Sequence, residues 1–391
     1  MHQILKTENI PIKLWLDDLE GEALAQAKNL ANLPFVHSHV AIMPDAHMGY
    51  GMPIGGVMAT DGVVVPNAVG VDIGCGMCAM RTSLAHVDTD RLKKILGLIR
   101  KYVPLGFRHH RKKQDEQYMP EAGDGLSLDD LAVVRREYDS ARTQIGTLGG
   151  GNHFIEIQRG DDGHIWVMIH SGSRNLGLKV ATHYNRLASQ LNGRFGPEIP
   201  KNWQLAYLPV DSDEGRAYLN EMNYCVQFAL ANRQLMMERV LAAFDQVAGP
   251  FSPERFINIA HNYARREKHF GREVYVHRKG ATSARRDEEG IIPGSQGAAS
   301  YIVRGLGNPD SFCSCSHGAG RRLGRKQAQR RLKLEEERRR LEQQGILHAI
   351  RGKRDLDEAP GAYKDIGEVI ARQRDLVQIE VRLRPLAVVK G

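Results

Sequence analysis

The sequence predicts an α+β protein, a single large domain over residues 1–391 in which mixed and antiparallel sheets are flanked by peripheral helices. Three observations carry this. Short apolar runs punctuated by Gly and Pro recur along the chain, such as Ala41-Ile42-Met43-Pro44-Asp45 and Gly62-Val63-Val64-Val65-Pro66, and they read as strands and turns. Longer segments between them carry helical spacing. No Ser/Pro-rich linker divides the chain, and no internal repeat appears at solenoid periods.

Taken in order, the first eighty residues read as short strands and loops. Residues 88–101 are helical by the spacing of Leu92, Ile95, Leu96 and Ile99. Arg108-His109-His110-Arg111-Lys112-Lys113 forms a basic loop, and 127–143 is helical again. Between 145 and 177 the pattern is strand-like, with Gly149-Gly150-Gly151 as a bend. A polar and helical stretch follows, including Glu214 to Phe244. Strand-like runs return at 256–260, 273–277 and 300–304, and Ser311 to Ser316 alternates like a half-buried strand. A basic helix over 321–344 precedes a short final strand from Leu376 to Val389.

Composition narrows the function classes. Of the residues, 42% are hydrophobic and 26% charged, and no apolar run is long enough to cross a bilayer. The N-terminal residues lack the basic-then-apolar order of a signal peptide. Five cysteines in 391 residues make no disulfide framework, so a reducing cytoplasm is expected. The net charge is +8, yet residues 321–354 alone hold thirteen Lys/Arg against four Asp/Glu. A local surplus of nine leaves the rest near neutral, as expected of a segment that touches a phosphate backbone. A solvated helix pairing Glu335–Glu337 with Arg338–Arg340 accounts for the same run equally well.

Histidines and one cysteine sit in short motifs, several directly after an apolar run: Asp72-Ile73-Gly74-Cys75, Asn152-His153-Phe154-Ile155-Glu156, His170-Ser171-Gly172, His261-Asn262 and Ser316-His317-Gly318-Ala319-Gly320-Arg321. Asp72 three residues before Cys75, between glycines, suits a turn that aims both side chains at one ion. Cys78 reads as a small buried residue. On a strand over 152–157, His153, Ile155 and Ile157 face one way and Asn152, Phe154 and Glu156 the other. A lone strand-end histidine is more often structural, but three of them with Asp72 and Cys75 make a metal site. The glycines after His317 leave backbone amides open to an anion, and Arg321 adds a fixed charge, so His317 suits a nucleophile towards phosphorus or a general acid/base. The chain reads as a metal-dependent enzyme acting on phosphates.

These motifs, in order, resemble the RtcB-type RNA ligases. The likeness runs from Met43-Pro44-Asp45-Ala46-His47 through Gly70 to Gly76 and Gly146-Thr147-Leu148-Gly149, to Pro293-Gly294-Ser295, Ser314 to Arg321, Ala362-Tyr363-Lys364-Asp365 and Val389-Lys390-Gly391. The resemblance implies a fold built around a central two-metal cleft. It also implies a GTP- and Mn²⁺-dependent ligase joining 2′,3′-cyclic-phosphate or 3′-phosphate RNA ends to 5′-hydroxyl ends through a guanylylated His317. By resemblance, one Mn²⁺ takes Asp72, Cys75 and His153, and a second takes Cys75, His170 and His261. The guanylate site maps to Asn152, His153, Phe154, Ile155, Glu156, His261, Asn262, Pro293, Gly294, Ser295, Gln296, Ser300, His317, Gly318, Ala319, Gly320 and Lys390, with Glu156 reading the guanine N–H edge and Tyr363 a candidate to stack on the base. Gln296 stands where the family pattern leads one to expect Met. The implied partners are RNAs with broken ends, tRNA or rRNA among them, and a helper protein for guanylylation; no membrane partner is expected.

Overall fold

Most strand residues fall into two sheets, one curled and one open, and the computed structural model describes both within residues 1–391. The curled sheet has seven strands in the order 253–260, 76–82, 165–171, 154–160, 377–390, 300–305 and 289–292, all neighbours antiparallel. It is nearly a barrel. Its two edge strands approach each other, and Arg255 Nε on one donates to Glu289 Oε1 on the other at 2.6 Å. The period-two alternation of the strands then decides what lies inside. Trp166 and Met168 point inward with Met77, Ala79, Ile257, Ile291, Ile302, Val381 and Leu383, forming a sealed apolar plug. Ile165, Val167 and Ile169 point outward with Ile155 and Ile157, onto Ile95, Leu96 and Ile99 of the helix Thr89–Tyr102 and Met236, Met237, Val240 and Phe244 of the helix Asp213–Ala248.

The open sheet has six strands in the order 3–5, 12–14, 36–47, 54–60, 272–279 and 262–269, with one parallel pair between 12–14 and 36–47. One face packs on the helix Gly21–Ala31, the other on the helix Ile366–Ala371 and the last strands of the curled sheet. The architecture is α+β, with mixed and antiparallel sheets and helices outside them. The five cysteines are all free, and no helix is long and apolar enough to cross a membrane.

Several elements differ from the sequence reading. The first eighty residues, read as short strands and loops, also hold the helix Gly21–Ala31 and the twelve-residue strand Val36–His47, and the stretch read as strand-like to 177 turns helical at Arg174. The basic helix over 321–344 is two helices, Arg325–Arg331 and Leu334–Glu342, with Leu332 extended between them. The break lets Leu332 and Leu334 both turn onto the cluster of Leu341, Ile346, Ile350 and Leu356, which one continuous helix would not allow. The strand expected from Ser311 covers only Ser314–Ser316, because Pro309–Ser311 forms a 3₁₀ turn that ends at Phe312 in the left-handed region. The final strand is long, fourteen residues from Val377 to Lys390, and it bulges between Pro385 and Ala387, where Pro cannot donate to the ladder.

Because Ile302 is fully buried within the plug, Ile302→Ala is expected to destabilise the protein by about 2–5 kcal/mol. Urea unfolding followed by far-UV circular dichroism measures this. A loss below about 1 kcal/mol would mean that the lumen collapses freely around the cavity rather than acting as a packed core.

Candidate active site

Four consecutive strands of the curled sheet end on the same rim, and each delivers there one residue of a type that can ligate a metal. His261 follows the strand 253–260, Cys75 precedes 76–82, His170 lies near the end of 165–171, and His153 precedes 154–160. Antiparallel pairing puts these ends together. Met77 stands opposite His170, His170 opposite Phe154, and Ala260 opposite Gly76. Cys75 Sγ lies 3.5 Å from His153 Nε2 and 3.3 Å from His170 Nε2, and the ligand atoms of these three residues fall within 4.8 Å of one another. Asp72 Oδ2 stands 3.2 Å from His153 Nε2, and His170 Nε2 stands 3.4 Å from His261 Nε2. Asp72, Cys75 and the three histidines therefore form one continuous cluster.

The second nitrogens of the rings show how they are held. His153 Nδ1 is paired with Leu148 O at 3.0 Å and His170 Nδ1 with Asn152 O at 3.1 Å. With the proton on Nδ1, each ring turns a lone pair on Nε2 inward, the arrangement that orients metal-bound imidazoles. Burial holds His170 and His261 well below the ordinary histidine range, so both are neutral. Burial, and then the charge of Asp72, push the Cys75 thiol well up. A buried cluster of neutral donors and a thiol beside one carboxylate is short of positive charge, and a divalent cation would supply it. The donor set fits a metal.

The loops carrying these ligands are held from behind by two side chains of the long helix. Asn232 Oδ1 accepts from Gly146 N at 2.7 Å and Thr147 N at 3.1 Å, while its Nδ2 donates to Ser171 Oγ and Gly172 O, each at 3.1 Å. Arg233 Nη1 donates to Gly74 O at 3.0 Å and Ser171 O at 2.8 Å, and Nε donates to Asn258 Oδ1 at 2.8 Å. The sequence reading missed both residues, since they lie within an otherwise ordinary helical pattern. Two polar residues side by side on a helix rich in Met, Leu and Ala were the available signal.

His317 follows the short strand Ser314–Ser316 and meets the open sheet through Asp45. Asp45 Oδ2 lies 2.7 Å from His317 Nδ1 and accepts from the backbone N–H of His317 at 3.1 Å and of Gly318 at 3.2 Å. Burial raises the Asp45 carboxyl, but the facing His317 outweighs it and holds the group below the usual carboxylate range. The Nδ1–Asp45 contact fixes the ring and leaves Nε2 as the nitrogen without a hydrogen-bond partner. The glycine at 320 is required here, since at φ +72° a Cβ would run into the Asp45 carbonyl. The His317 and His261 rings stand edge to face at 4.8 Å, so His317 adjoins the metal-ligand cluster.

His317 lines two cavities. One, of about 160 Å³, is bounded by Asn152, Phe154, Glu156, Pro293, Gly294, Ser295, Gln296, Gly318, Ala319, Gly320, Glu358, Tyr363 and Lys390. The other is an open cleft of about 760 Å³ lined by Asp72, Cys75, His261, Asn262, Lys279, Arg321, Arg322 and Arg325. The strand expected over 152–157 begins at Phe154, and its alternation puts Phe154 and Glu156 on the pocket; Asn152, in the turn before it, lines the pocket as well. Of the other residues assigned to the nucleotide, Ile155 packs its side chain into the core under the helices, and His153 faces Cys75 and Asp72. His261 and Asn262 line the open cleft, and Ser300 lies behind the pocket, accepting from Gly294 N at 3.1 Å and Gln158 Nε2 at 3.0 Å.

Inside the smaller cavity, burial pushes the Glu156 carboxyl up to about 8. The other buried carboxylate, Glu358, takes Lys390 Nζ at 3.2 Å and Arg321 Nη1 at 3.0 Å, and these charges hold it low against its own burial. Tyr363 hydrogen-bonds to Glu358, and the Arg321 guanidinium lies 5.2 Å from the Tyr363 ring centre. Gln296 Nε2 donates to Glu358 O at 2.9 Å, while its Oε1 has no partner.

The model for tRNA-splicing ligase RtcB matches residues 26–391. The chain belongs to the RtcB family. The RNA-splicing ligase RtcB of Escherichia coli (strain K12) is 39% identical over 410 aligned positions, covering 100% of both chains. The tRNA-splicing ligase RtcB of Thermococcus kodakarensis is 33% identical, over 99% of this chain and 96% of that one. The RNA-splicing ligase RtcB of Mycobacterium tuberculosis (strain H37Rv) is 36% identical over 94% of this chain and 100% of its own. In this RtcB-family chain, Asp45 and Glu358 are the site residues whose roles the sequence reading did not assign. Asp45 lay in a quoted motif without a role, and Glu358 lay outside every motif.

Asn232→Ala is expected to cost at least about 2 kcal/mol, because four buried groups lose a partner and each unpaired group costs roughly 1–3 kcal/mol. It should also raise the reactivity of Cys75 towards a thiol reagent, by loosening the loops around it. Unchanged stability together with an unchanged Cys75 modification rate would remove Asn232 from its structural role.

Proposed function

We propose that this RtcB-family protein is a GTP- and Mn²⁺-dependent RNA ligase that joins 3′-phosphate or 2′,3′-cyclic-phosphate ends to 5′-hydroxyl ends. The observation that carries the reading is the position of His317 at the junction of a smaller pocket, lined by Phe154, Glu156, Tyr363 and Lys390, and a larger cleft lined by Lys279, Arg322, Asp72, Cys75 and His261.

In the first step, His317 Nε2 attacks the α-phosphorus of GTP. The N–P bond forms as the Pα–O bond to the β-phosphate breaks, and pyrophosphate leaves. Asp45 supports this step by holding the Nδ1 proton and offsetting the positive charge that develops on the ring. A 3′-phosphate oxygen on RNA, exposed by hydrolysis where the end is cyclic, then attacks the GMP phosphorus, and the pair in the N–P bond returns to His317. Finally the 5′-hydroxyl attacks the 3′-phosphorus, loses its proton, and releases GMP. The detour is needed because a phosphate monoester is a poor electrophile towards an alcohol, and GMP supplies the leaving group.

Two divalent ions held by Asp72, Cys75, His153, His170 and His261 would polarise the attacked phosphate and stabilise the attacking and leaving oxygens. Ligand softness alone would favour Zn²⁺ on a thiolate and three imidazoles, so the choice of Mn²⁺ rests on the family resemblance. In the pocket, Tyr363 and Phe154 supply apolar surface to the base, Lys390 a charge, and the amides of Ala319 and Gly320 a place for phosphate oxygens, the Gly318 amide being taken by Asp45. Lys326, Arg330, Lys353 and Arg354 line a surface hollow free of carboxylates, which supports RNA binding by the 325–354 segment. Arg338, by contrast, lies 3.9 Å from Glu335 and 3.7 Å from Glu342, so part of the second helix is a self-paired solvated face.

Incubation with α-labelled GTP and Mn²⁺ tests the reading directly. The expected product is an acid-labile, alkali-stable label on the protein, absent from His317→Ala; label persisting on that variant would move the nucleophile elsewhere. Glu156 makes GTP binding pH-dependent. The empty pocket holds it protonated up to about pH 8, whereas the guanine N–H edge needs an acceptor carboxylate, so binding releases a proton. GTP affinity should therefore rise from pH 6 to 8 and level off above, and Glu156→Gln should weaken binding and flatten the profile. In the unliganded protein the sign is opposite. Glu156 favours the fold fully below its unfolded value of about 4.5, and that contribution is lost as pH rises through about 8. Calorimetry in two buffers of different ionisation heat measures the released proton; none released would take Glu156 out of base recognition.

A further inference from the structure

Phe107 is 99% exposed, more than any other large apolar side chain of the protein. Leaving a phenyl ring in water forfeits the stabilisation that burial would return. The ring is not on a loose tip. Gly106 N donates to Gly149 O at 3.1 Å and Leu105 bridges to Gly149, while on the far side His110 N donates to Thr143 O at 2.9 Å and Gln114 N to Arg142 O at 2.9 Å. Arg239 Nη1 adds a contact to His110 Nε2 at 2.9 Å. A side chain presented this firmly into solvent is held for something that arrives.

Its surroundings define the visitor. Arg108, Arg111 and Lys112 follow it, all exposed and without an ion-pair partner, whereas Lys113 is taken by Asp139 at 2.7 Å. The loop also abuts the site at two points. Gly149, to which it is bonded, directly follows Leu148, whose carbonyl holds His153. Gly106 also packs against Gly391, the neighbour of Lys390. Since a residue spans at most about 3.6 Å, the two steps from Gly150 to Asn152 put Gly150, which Gly106 abuts, within roughly 7 Å of pocket-lining backbone.

We infer that Phe107 is a stacking platform for an unpaired base of the RNA strand being joined, with Arg108, Arg111 and Lys112 on the phosphates beside it. This rests on the RNA-joining reading above. A protein partner would call for a contiguous apolar patch, and here one ring stands among cations. That is the composition of sequence-tolerant single-strand sites, in which bases stack on aromatic faces and the backbone follows fixed positive charge. The proposed occupant is therefore a single-stranded stretch next to the junction, of no fixed sequence.

The test measures anisotropy of a labelled, short, 3′-phosphorylated single strand against the same RNA in a blunt duplex, with the wild type, Phe107→Ala and Phe107→Trp. Phe107→Ala is expected to weaken single-strand binding about tenfold. The slope of log affinity against log salt should stay unchanged, because no charge is lost. Phe107→Trp should restore affinity, and its fluorescence should be quenched by the single strand. Equal affinity for Phe107→Ala and wild type, or an equal loss for single strand and duplex, would overturn the inference. So would intact RNA binding with loss of a protein partner. If the wild type labels with GTP and binds RNA but Phe107→Ala matches it, only the stacking role fails. If the wild type does neither, the RNA-joining reading fails and this one with it.

Discussion

Arg233 is a buried cation with no carboxylate partner, and the site is assembled around it. Its hydrogen bonds go to the carbonyls of Gly74 and Ser171 and to Asn258. Removing a guanidinium from water costs several kcal/mol unless its donors are satisfied. Its Nε and Nη1 find acceptors only when the strand at Asn258 and the loops at Gly74 and Ser171 lie against the helix Asp213–Ala248, while Nη2 stays without a partner. Asn232, next along the helix, does the same for the loop at Gly146 and Thr147. Misplacing any of these loops leaves buried polar groups unpaired. Folding of the core and positioning of the ligands are thus one event. The Arg233 charge also acts against the burial that raises the Cys75 thiol, from the side of the cluster away from the cleft.

The curled sheet converts this arrangement into a rim. Strand alternation sends one set of residues to the helices and the other to the lumen, and the lumen set changes character along its length. Trp166 and Met168 belong to the apolar plug, while His170, two residues later on the same face, belongs to the ligand cluster. Phe154, Glu156 and Gln158 likewise share one face, and Glu156 keeps its proton because the sheet has buried it with a neutral amide for a neighbour. Rigid strands on three sides leave little freedom for the ligands to separate, and that favours a site formed before any ion arrives.

What could be read from the sequence was whatever is carried by local pattern. The alternation at 152–157 gave the facing of Phe154 and Glu156. The apolar spacing of 88–101 and the Met, Leu and Ala content of 214–244 marked two helices close to their observed bounds. The motifs at 72–75, 153, 170 and 261 gave five donors that the structure brings together. What could not be read depends on contacts between distant segments. Asp45 meets His317 across 272 positions, and no periodicity marks that pairing. Glu358 sits in a 3₁₀ turn of mixed charge and becomes a site residue only because Lys390 and Arg321 converge on it. The helix 321–344 misled because its charges are continuous, whereas Leu332 follows the core.

On the proposed reading, the placement of His317 also decides how the reaction avoids waste. The ring is held at Nδ1 by Asp45, so only Nε2 is free to form and break a bond to phosphorus. That one atom must face the nucleotide in the first step and RNA in the second. Two cavities meet at that ring, so on this reading GTP would occupy the smaller pocket and the RNA end the larger cleft. The buried carboxylates divide accordingly. Asp45 and Glu358 are held ionised by cations and donors that are already present. Glu156 is left neutral until a ligand supplies donors, so the charge it gains is spent on the base alone. On this reading a pocket that ionises only for its ligand carries no bare buried charge when empty, and it would discriminate against adenine, which lacks that N–H edge.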